Sequence, residues 1–252
     1  MGDIFDTHAH YDDAAFDEDR DALLSKLLDG EVCGIVNQGT TVDTSRFSVT
    51  LAHRYDKMYA AVGLHPECLD DNSPHDLTLL QELYNDKKVV AVGEIGLDYY
   101  YDVPKPLQQA IFAAQLTLSK ELSLPVVIHD REAHGDVLDF IRTYRPKGIV
   151  HCFSGSKEMA EEIVRLGMYI GMGGVVTFKN ARKAVEVVQT IPLTSLVLET
   201  DCPYLAPVPH RGKRNDSSLI RLTAERIADI KGTSLEEVLS VTKENACRVY
   251  QL

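Results

Sequence analysis

Short apolar runs alternate along the whole 252-residue chain with longer stretches whose apolar residues recur at helical spacing. The runs Ile4–Asp6, Val32–Asn37, Met58–Val62, Val89–Val92, Val126–Ile128, Gly148–Val150, Met168–Ile170 and Leu196–Leu198 are rich in β-branched residues and too short for helices, which predicts strands. Between them the spacing predicts helices over Glu18–Leu28, Thr44–Tyr55, Leu77–Asn85, Lys105–Glu121, Ala133–Tyr144, Lys157–Leu166 and Ala181–Thr190. Leu23, Leu24, Leu27 and Leu28 share one such face, and Leu107, Ile111, Ala114 and Leu118 another. A long segment from Pro203 to Asn215 leads to two terminal helices, near Ser217–Lys231 and Ser234–Tyr250.

Strands and helices in strict alternation predict an α/β fold, a parallel sheet closed into a (β/α)8 TIM barrel with additional C-terminal helices. The competing architecture is an open doubly wound sheet, but neither G-x-G-x-x-G nor a P-loop lysine motif follows any strand. There is no linker, repeat or low-complexity tract, so residues 1–252 read as one domain.

Charge narrows the function classes. Lys and Arg number 26 against 38 Asp and Glu, a net charge of −12, so tight binding of long duplex nucleic acid is not expected. Metal ions and a local basic patch are needed if a phosphodiester is the substrate. Cys33, Cys68, Cys152, Cys202 and Cys247 are an odd, scattered set without a CxxC pair, which fits reduced thiols. Cys152 and Cys202 are expected to be small packing residues. The acidic start and the absence of any long apolar stretch predict a cytoplasmic protein with no membrane span.

The polar residues fall where a barrel enzyme needs them. In Asp6-Thr7-His8-Ala9-His10 the two histidines stand at i and i+2, on one face of an extended backbone, and can reach one ion. His65 follows strand 3, Glu94 strand 4, His129 strand 5, His151 strand 6 and Asp201 strand 8, all at the ends that form the active face of such a barrel. His8, His10, Glu94, His129, His151 and Asp201 offer four imidazoles and two carboxylates with no thiolate, which suits Zn²⁺, Mn²⁺ or a mixture. This is too many ligands for one open ion, and two ions need a bridging anion. In many related hydrolases a carbamylated lysine supplies it; here Lys87 and Lys88 precede strand 4, and Glu94 stands at the required place.

Together, Asp6-Thr7-His8-Ala9-His10, Gly63-Leu64-His65-Pro66, Gly93-Glu94-Ile95-Gly96-Leu97-Asp98-Tyr99, Val127-Ile128-His129, His151-Cys152-Phe153-Ser154-Gly155 and Glu199-Thr200-Asp201-Cys202-Pro203-Tyr204-Leu205 resemble the TatD family of metal-dependent deoxyribonucleases. The resemblance runs through essentially the whole chain. It implies an amidohydrolase-type barrel with two divalent ions (Zn²⁺, Mg²⁺ or Mn²⁺), one held by His8, His10, Glu94 and Asp201, the other by Glu94, His129 and His151. It further implies a 3′-5′ exonuclease on single-stranded DNA or frayed DNA ends. One departure stands out: the family commonly continues with Glu-Pro where Asn215 is here followed by Asp216, Ser217 and Ser218.

On this reading Glu94, Asp201 and His65 are catalytic, Asp201 as both ligand and general base. His65, needed by neither ion, is expected to contact the scissile phosphate. Arg131, Arg211 and Lys213, with Arg214, are expected to hold flanking phosphates, and Tyr99, Tyr100 and Tyr101 either to stack a base or to pack around the barrel mouth. His53, His75, His134 and His210 receive no role. The alternative keeps the metals and changes the bond: an ester or amide hydrolase, such as a D-aminoacyl-tRNA deacylase. A catalytically dead scaffold predicts missing ligands, and none is missing. No obligate protein partner is expected.

Overall fold

The computed structural model describes residues 2–252. Eight strands, β1 (Ile4–Ala9), β2 (Val32–Gln38), β3 (Met58–Val62), β4 (Val89–Asp98), β5 (Val126–Arg131), β6 (Gly148–Val150), β7 (Tyr169–Met172) and β8 (Leu196–Leu198), pair in sequence order, every pair parallel. Ala9 bridges Cys202 in parallel, His10 N donates to Cys202 O at 2.9 Å and Asp201 N to His8 O at 3.0 Å. These bonds join β1 to the residues after β8 and close the sheet into the expected barrel. Helices α1 (Arg20–Asp29), α2 (Val42–Arg54), α3 (Ser73–Leu80), α4 (Lys105–Leu122), α5 (His134–Tyr144), α6 (Lys157–Arg165) and α7 (Arg182–Thr190) connect successive strands, and α8 (Ile220–Lys231) and α9 (Leu235–Tyr250) follow the barrel. Among the described residues no helix is long and apolar enough to cross a membrane.

Strand alternation explains both the core and the site. Phe5, Val36, Ala61, Val127, Ile149 and Val197 form one buried cluster with Ala246, Val249 and Tyr250 of α9, while Ile4, Ile35, Val62, Val126, Ile128, Val150, Leu196 and Leu198 belong to a second cluster with the surrounding helices. Two residues beyond Val127 comes His129, two beyond Ile149 comes His151, and Glu199 and Asp201 continue the face of Val197. The strand faces that fill the barrel therefore also present its polar groups at the mouth.

Several boundaries differ from expectation: β1 and β5 run on to Ala9 and Arg131, and β7 is shifted to Tyr169–Met172. β4 runs on to Asp98 instead of ending at Val92, pairing as far as Asp98 with Arg131. Glycine is depleted in strands, so Gly93 and Gly96 look like a stop. Gly96 is required by the pairing itself: at φ +145°, a Cβ there would lie 2.0 Å from the His129 carbonyl oxygen. The third inter-strand helix spans Ser73–Leu80, with a separate 3-10 turn at Leu83–Asn85, because Pro74 opens a first turn and moves the start forward. Before α8, Ser217–Leu219 is a 3-10 turn, capped by the Asp216 side chain on Ser218 N.

Candidate metal centre

Glu94 sits at the centre of the mouth, 3% exposed, and its two oxygens face different histidines. Oε2 lies 3.3 Å from His8 Nε2 and 3.4 Å from His10 Nε2; Asp201 Oδ1 is 3.6 Å from both of those nitrogens. Oε1 lies 2.8 Å from His151 Nε2, 3.1 Å from His129 Nδ1 and 3.4 Å from His65 Nε2. Residues from five separate strand ends thus converge on one carboxylate.

The donor set fits metal. His8 Nε2 and His10 Nε2 are 3.1 Å apart, and His129 Nδ1 and His151 Nε2 are 3.2 Å apart. Paired ring nitrogens that face one another beside a buried carboxylate share a cation more readily than a proton. All the donors are nitrogen or oxygen. His8, His10 and Asp201 form one potential ligand group, and His65, Glu94 and His129 form another.

Electrostatics follow from burial and from Glu94. Burial opposes its charge, yet the surrounding imidazoles, His151, His65 and His8 foremost, hold the Glu94 carboxyl well below the usual range, so it is ionised. Burial keeps His8 well below the usual imidazole range and lowers His65 as well. Burial also pulls on His10 and His129, but the hydrogen bond from His10 to Glu94, and those from His129 to Asp98 and Glu94, raise both to about 9. Asp201 is raised by burial.

A layer of acids beneath these groups was not assigned any role by the sequence. Asp6, fully buried, accepts from His8 N, Thr200 N, Thr200 Oγ1 and Ser217 Oγ, at 3.2, 3.0, 2.7 and 2.7 Å. It ties the first histidine strand to the segment carrying Asp201. Ser217, one of the residues that replace the common Glu-Pro, serves this clasp and also bonds Tyr11. Asp98 Oδ2 accepts from His129 Nε2 at 2.9 Å. Glu199 accepts from Cys152 N through one oxygen; its other oxygen, His8 Nδ1 and His151 Nδ1 are buried without a partner. Polar atoms of these three side chains lie within 4.8 Å of each other, and burial raises the Glu199 carboxyl to about 8. Gly171 makes room for it, since a Cβ there would stand 2.4 Å from Glu199 Oε2. For Asp6, Asp98 and Glu199 the available signal was their place in the same strand-end motifs as the histidines.

The remaining expected residues divide. His65 lies beside Glu94 and edge-on to His129, closer to the ligand cluster than a purely substrate-facing residue would be. Its Nδ1 accepts from Glu67 N at 3.2 Å, which leaves the proton on Nε2. Arg131 lines the cleft above the centre, a space of about 730 Å³, together with Tyr101 and Tyr204. Arg211 and Lys213 are not in its wall: Arg211 stacks on Phe178 at 4.0 Å, Lys213 is exposed, and Arg214 pairs with Asp19 at 2.6 Å. Ten residues past Asp201 were enough to reach the mouth, but the loop turns outward across Phe178. Tyr99 is also turned from the cleft, donating to Asp136 Oδ2 at 2.5 Å. Cys202 is fully buried as expected; Cys152 is half-buried and lines the cleft.

Residues 5–251 match the family described as TatD related DNase. The chain is 42% identical over 253 residues to the uncharacterized metal-dependent hydrolase YabD of Bacillus subtilis, covering 99% of both. It is 31% identical over 259 residues to the 3′-5′ ssDNA/RNA exonuclease TatD of Erwinia tasmaniensis, covering 99% of this chain and 100% of the other. The crystal structure of the Escherichia coli TatD homologue YjjV superimposes with a TM-score of 0.92 at 34% identity, covering 99% of this chain and 98% of that one.

Proposed function

The chain belongs to the TatD family of metal-dependent hydrolases, and from that premise we propose that it is a 3′-5′ exonuclease on single-stranded or frayed nucleic acid ends, built around two divalent ions bridged by Glu94. The observation that carries the reading is the division of Glu94: Oε2 faces His8 and His10, with Asp201 beside them, and Oε1 faces His129 and His151. Zn²⁺, Mg²⁺ or Mn²⁺ each accept such nitrogen and oxygen donors to differing degrees. The nucleic-acid substrate is supported by the relative named as an exonuclease.

Bound there, divalent cations supply Lewis-acid chemistry, lowering the pKa of water and offsetting charge on phosphoryl oxygens. The chain's own residues do the rest. Asp201, with its carboxyl raised by burial, is the better base for it and takes a proton from the attacking water. His65, kept neutral by burial with its proton on Nε2, 3.4 Å from Glu94 Oε1, shares that hydrogen between Glu94 and a non-bridging phosphate oxygen. Arg131 binds a neighbouring phosphate from the cleft wall. Water adds to phosphorus and the bond from phosphorus to one sugar oxygen breaks. One product then carries a phosphomonoester, and the other a hydroxyl that receives a proton.

The test uses end-labelled single strands blocked at the 3′ or the 5′ end, with the metal-loaded enzyme. Cleavage of the 5′-blocked strand alone is expected, lost on chelation and lost in His10→Ala with the circular dichroism spectrum retained. Hydrolysis of aminoacyl-tRNA by a preparation inert on every oligonucleotide would favour the ester-hydrolase alternative instead.

A further inference from the structure

The cleft above the metal centre is electrically lopsided. Strand neighbours follow sequence order around the barrel, so the β1 and β5 ends stand opposite each other across the mouth. On the β1 side the wall is Asp12 and Asp13, while Glu67, in the turn after β3, stands midway between the two sides. Asp13 Oδ2 accepts from the Tyr204 hydroxyl at 2.8 Å, which fixes that ring at the rim beside Leu205. On the β5 side stands Arg131, the one lysine or arginine among the described residues that line the cleft, beside Asp98 and Asp130, which are hydrogen-bonded to His129 and His134.

Arg131 is held ready for an anion. Its guanidinium lies 3.8 Å above the Tyr100 ring and 5.6 Å from Tyr101, and no carboxylate lies within 4 Å of it among the described residues. Neighbouring Asp130 is already matched by His134 Nδ1, 2.8 Å away, and that contact raises the imidazole pKa. Arg131 is exposed at the cleft rim, and Asp98, which its charge reaches, is already hydrogen-bonded to His129. A planar cation supported on aromatic faces suits a phosphate.

We infer, on the basis of the phosphodiesterase reading above, that the cleft selects a nucleic acid end bearing a free hydroxyl. The phosphodiester over the metal centre is flanked by one phosphate, bound by Arg131 on the β5 side. On the β1 side lies an uncharged terminal nucleoside whose base packs on Tyr204 and Leu205, 56% and 37% exposed. A phosphomonoester at that terminus carries a charge of about −1.5 to −2 and would meet Asp12 and Asp13. With 3′-5′ polarity, the excluded group is a 3′-phosphate. Selection then arises from charge placement, without a wall that closes the cleft.

The experiment measures kcat/KM of the metal-loaded full chain on oligothymidylates from dinucleotide to octanucleotide, each with free hydroxyl ends, a 3′-phosphate or a 5′-phosphate. The expected pattern is a rise of roughly tenfold from dinucleotide to trinucleotide, the worth of one charge-assisted hydrogen bond, and a plateau beyond it. Arg131→Gln should flatten that rise. A 3′-phosphate should lower the rate by at least roughly tenfold, and Asp13→Asn, which keeps the hydrogen-bonding shape, should recover part of the loss. Block by a 5′-phosphate alone would uphold the selection and reverse the polarity. Rates that climb steadily to the octanucleotide, or indifference to both terminal phosphates, would overturn the inference while leaving the nuclease reading intact. Failure to cleave any member of the series would overturn both.

Discussion

Asp98 accepts a hydrogen bond from His129 Nε2 at 2.9 Å, while the opposite nitrogen of that ring, Nδ1, lies 3.1 Å from Glu94 Oε1. The carboxylate fixes both the tautomer and the orientation in which the imidazole faces the centre. Such partners of metal-binding histidines typically contribute a factor of about 10–100 in metal affinity. Asp98→Asn is therefore expected to weaken divalent metal binding by that factor in a chelator-competition titration, with an unchanged far-ultraviolet spectrum. Unaltered affinity would mean that His129 does not bind metal.

Metal binding and pH are linked through His10 and His129. In the metal-free chain burial depresses both imidazoles, but Glu94 for His10, and Asp98 with Glu94 for His129, raise them to about 9 from an unfolded value of 6.5. The stability contributed by the two imidazolium ions is fully present below about pH 6.5 and is lost as pH rises through about 9. The urea midpoint of the chelated protein should fall across that window. On the proposed ligand set, divalent ions would bind the deprotonated rings, so metal binding is expected to release protons and to tighten with pH over the same range. Calorimetry in buffers of different ionisation enthalpy counts those protons; a count of zero near neutral pH would contradict the raised values.

Gly96 is a structural prediction independent of metal. A Cβ at its φ of +145° would stand 2.0 Å from the His129 carbonyl oxygen. Gly96→Ala should cost at least roughly 3 kcal/mol of stability by combining backbone strain with a clash inside a ladder. Thermal denaturation reads this directly, and a variant as stable as the parent would show that β4 and β5 do not pair here as described.

Glu199 is expected to separate affinity from fold. Its free oxygen shares a buried space with His8 Nδ1 and His151 Nδ1, and no other partner serves those nitrogens. Glu199→Ala should lower metal affinity by about 10–100-fold, and Glu199→Gln, which keeps an oxygen acceptor, by less. Equal losses in the two variants would argue that the negative charge matters and that an oxygen acceptor of the same volume cannot replace it.

The periodicity of apolar residues predicted all eight strands and their closure, because strands buried on both faces read as continuous runs such as Val126-Val127-Ile128. It failed at Gly93 and Gly96, where close approach of β5 overrides strand propensity. His8, His10, His65, Glu94, His129, His151 and Asp201 were legible as a group because strand ends in a barrel must converge. Arg211 and Lys213 do not line the cleft wall, since proximity in sequence does not say which way a loop turns. Asp6 and Glu199 escaped assignment for a different reason. A buried acid that organises its neighbours has the same sequence signature as one that binds an ion, and only the contacts distinguish them.

The central claim is that hydrolysis depends on two ions bridged by Glu94. The most direct test strips the protein of metal, then adds Mn²⁺ or Zn²⁺ in measured equivalents while following cleavage of a 5′-labelled single strand. Activity should stay near background through the first equivalent and appear with the second, and Glu94→Gln should show no such step. Full cleavage at one equivalent, or cleavage that persists with chelator present, would contradict the two-ion account.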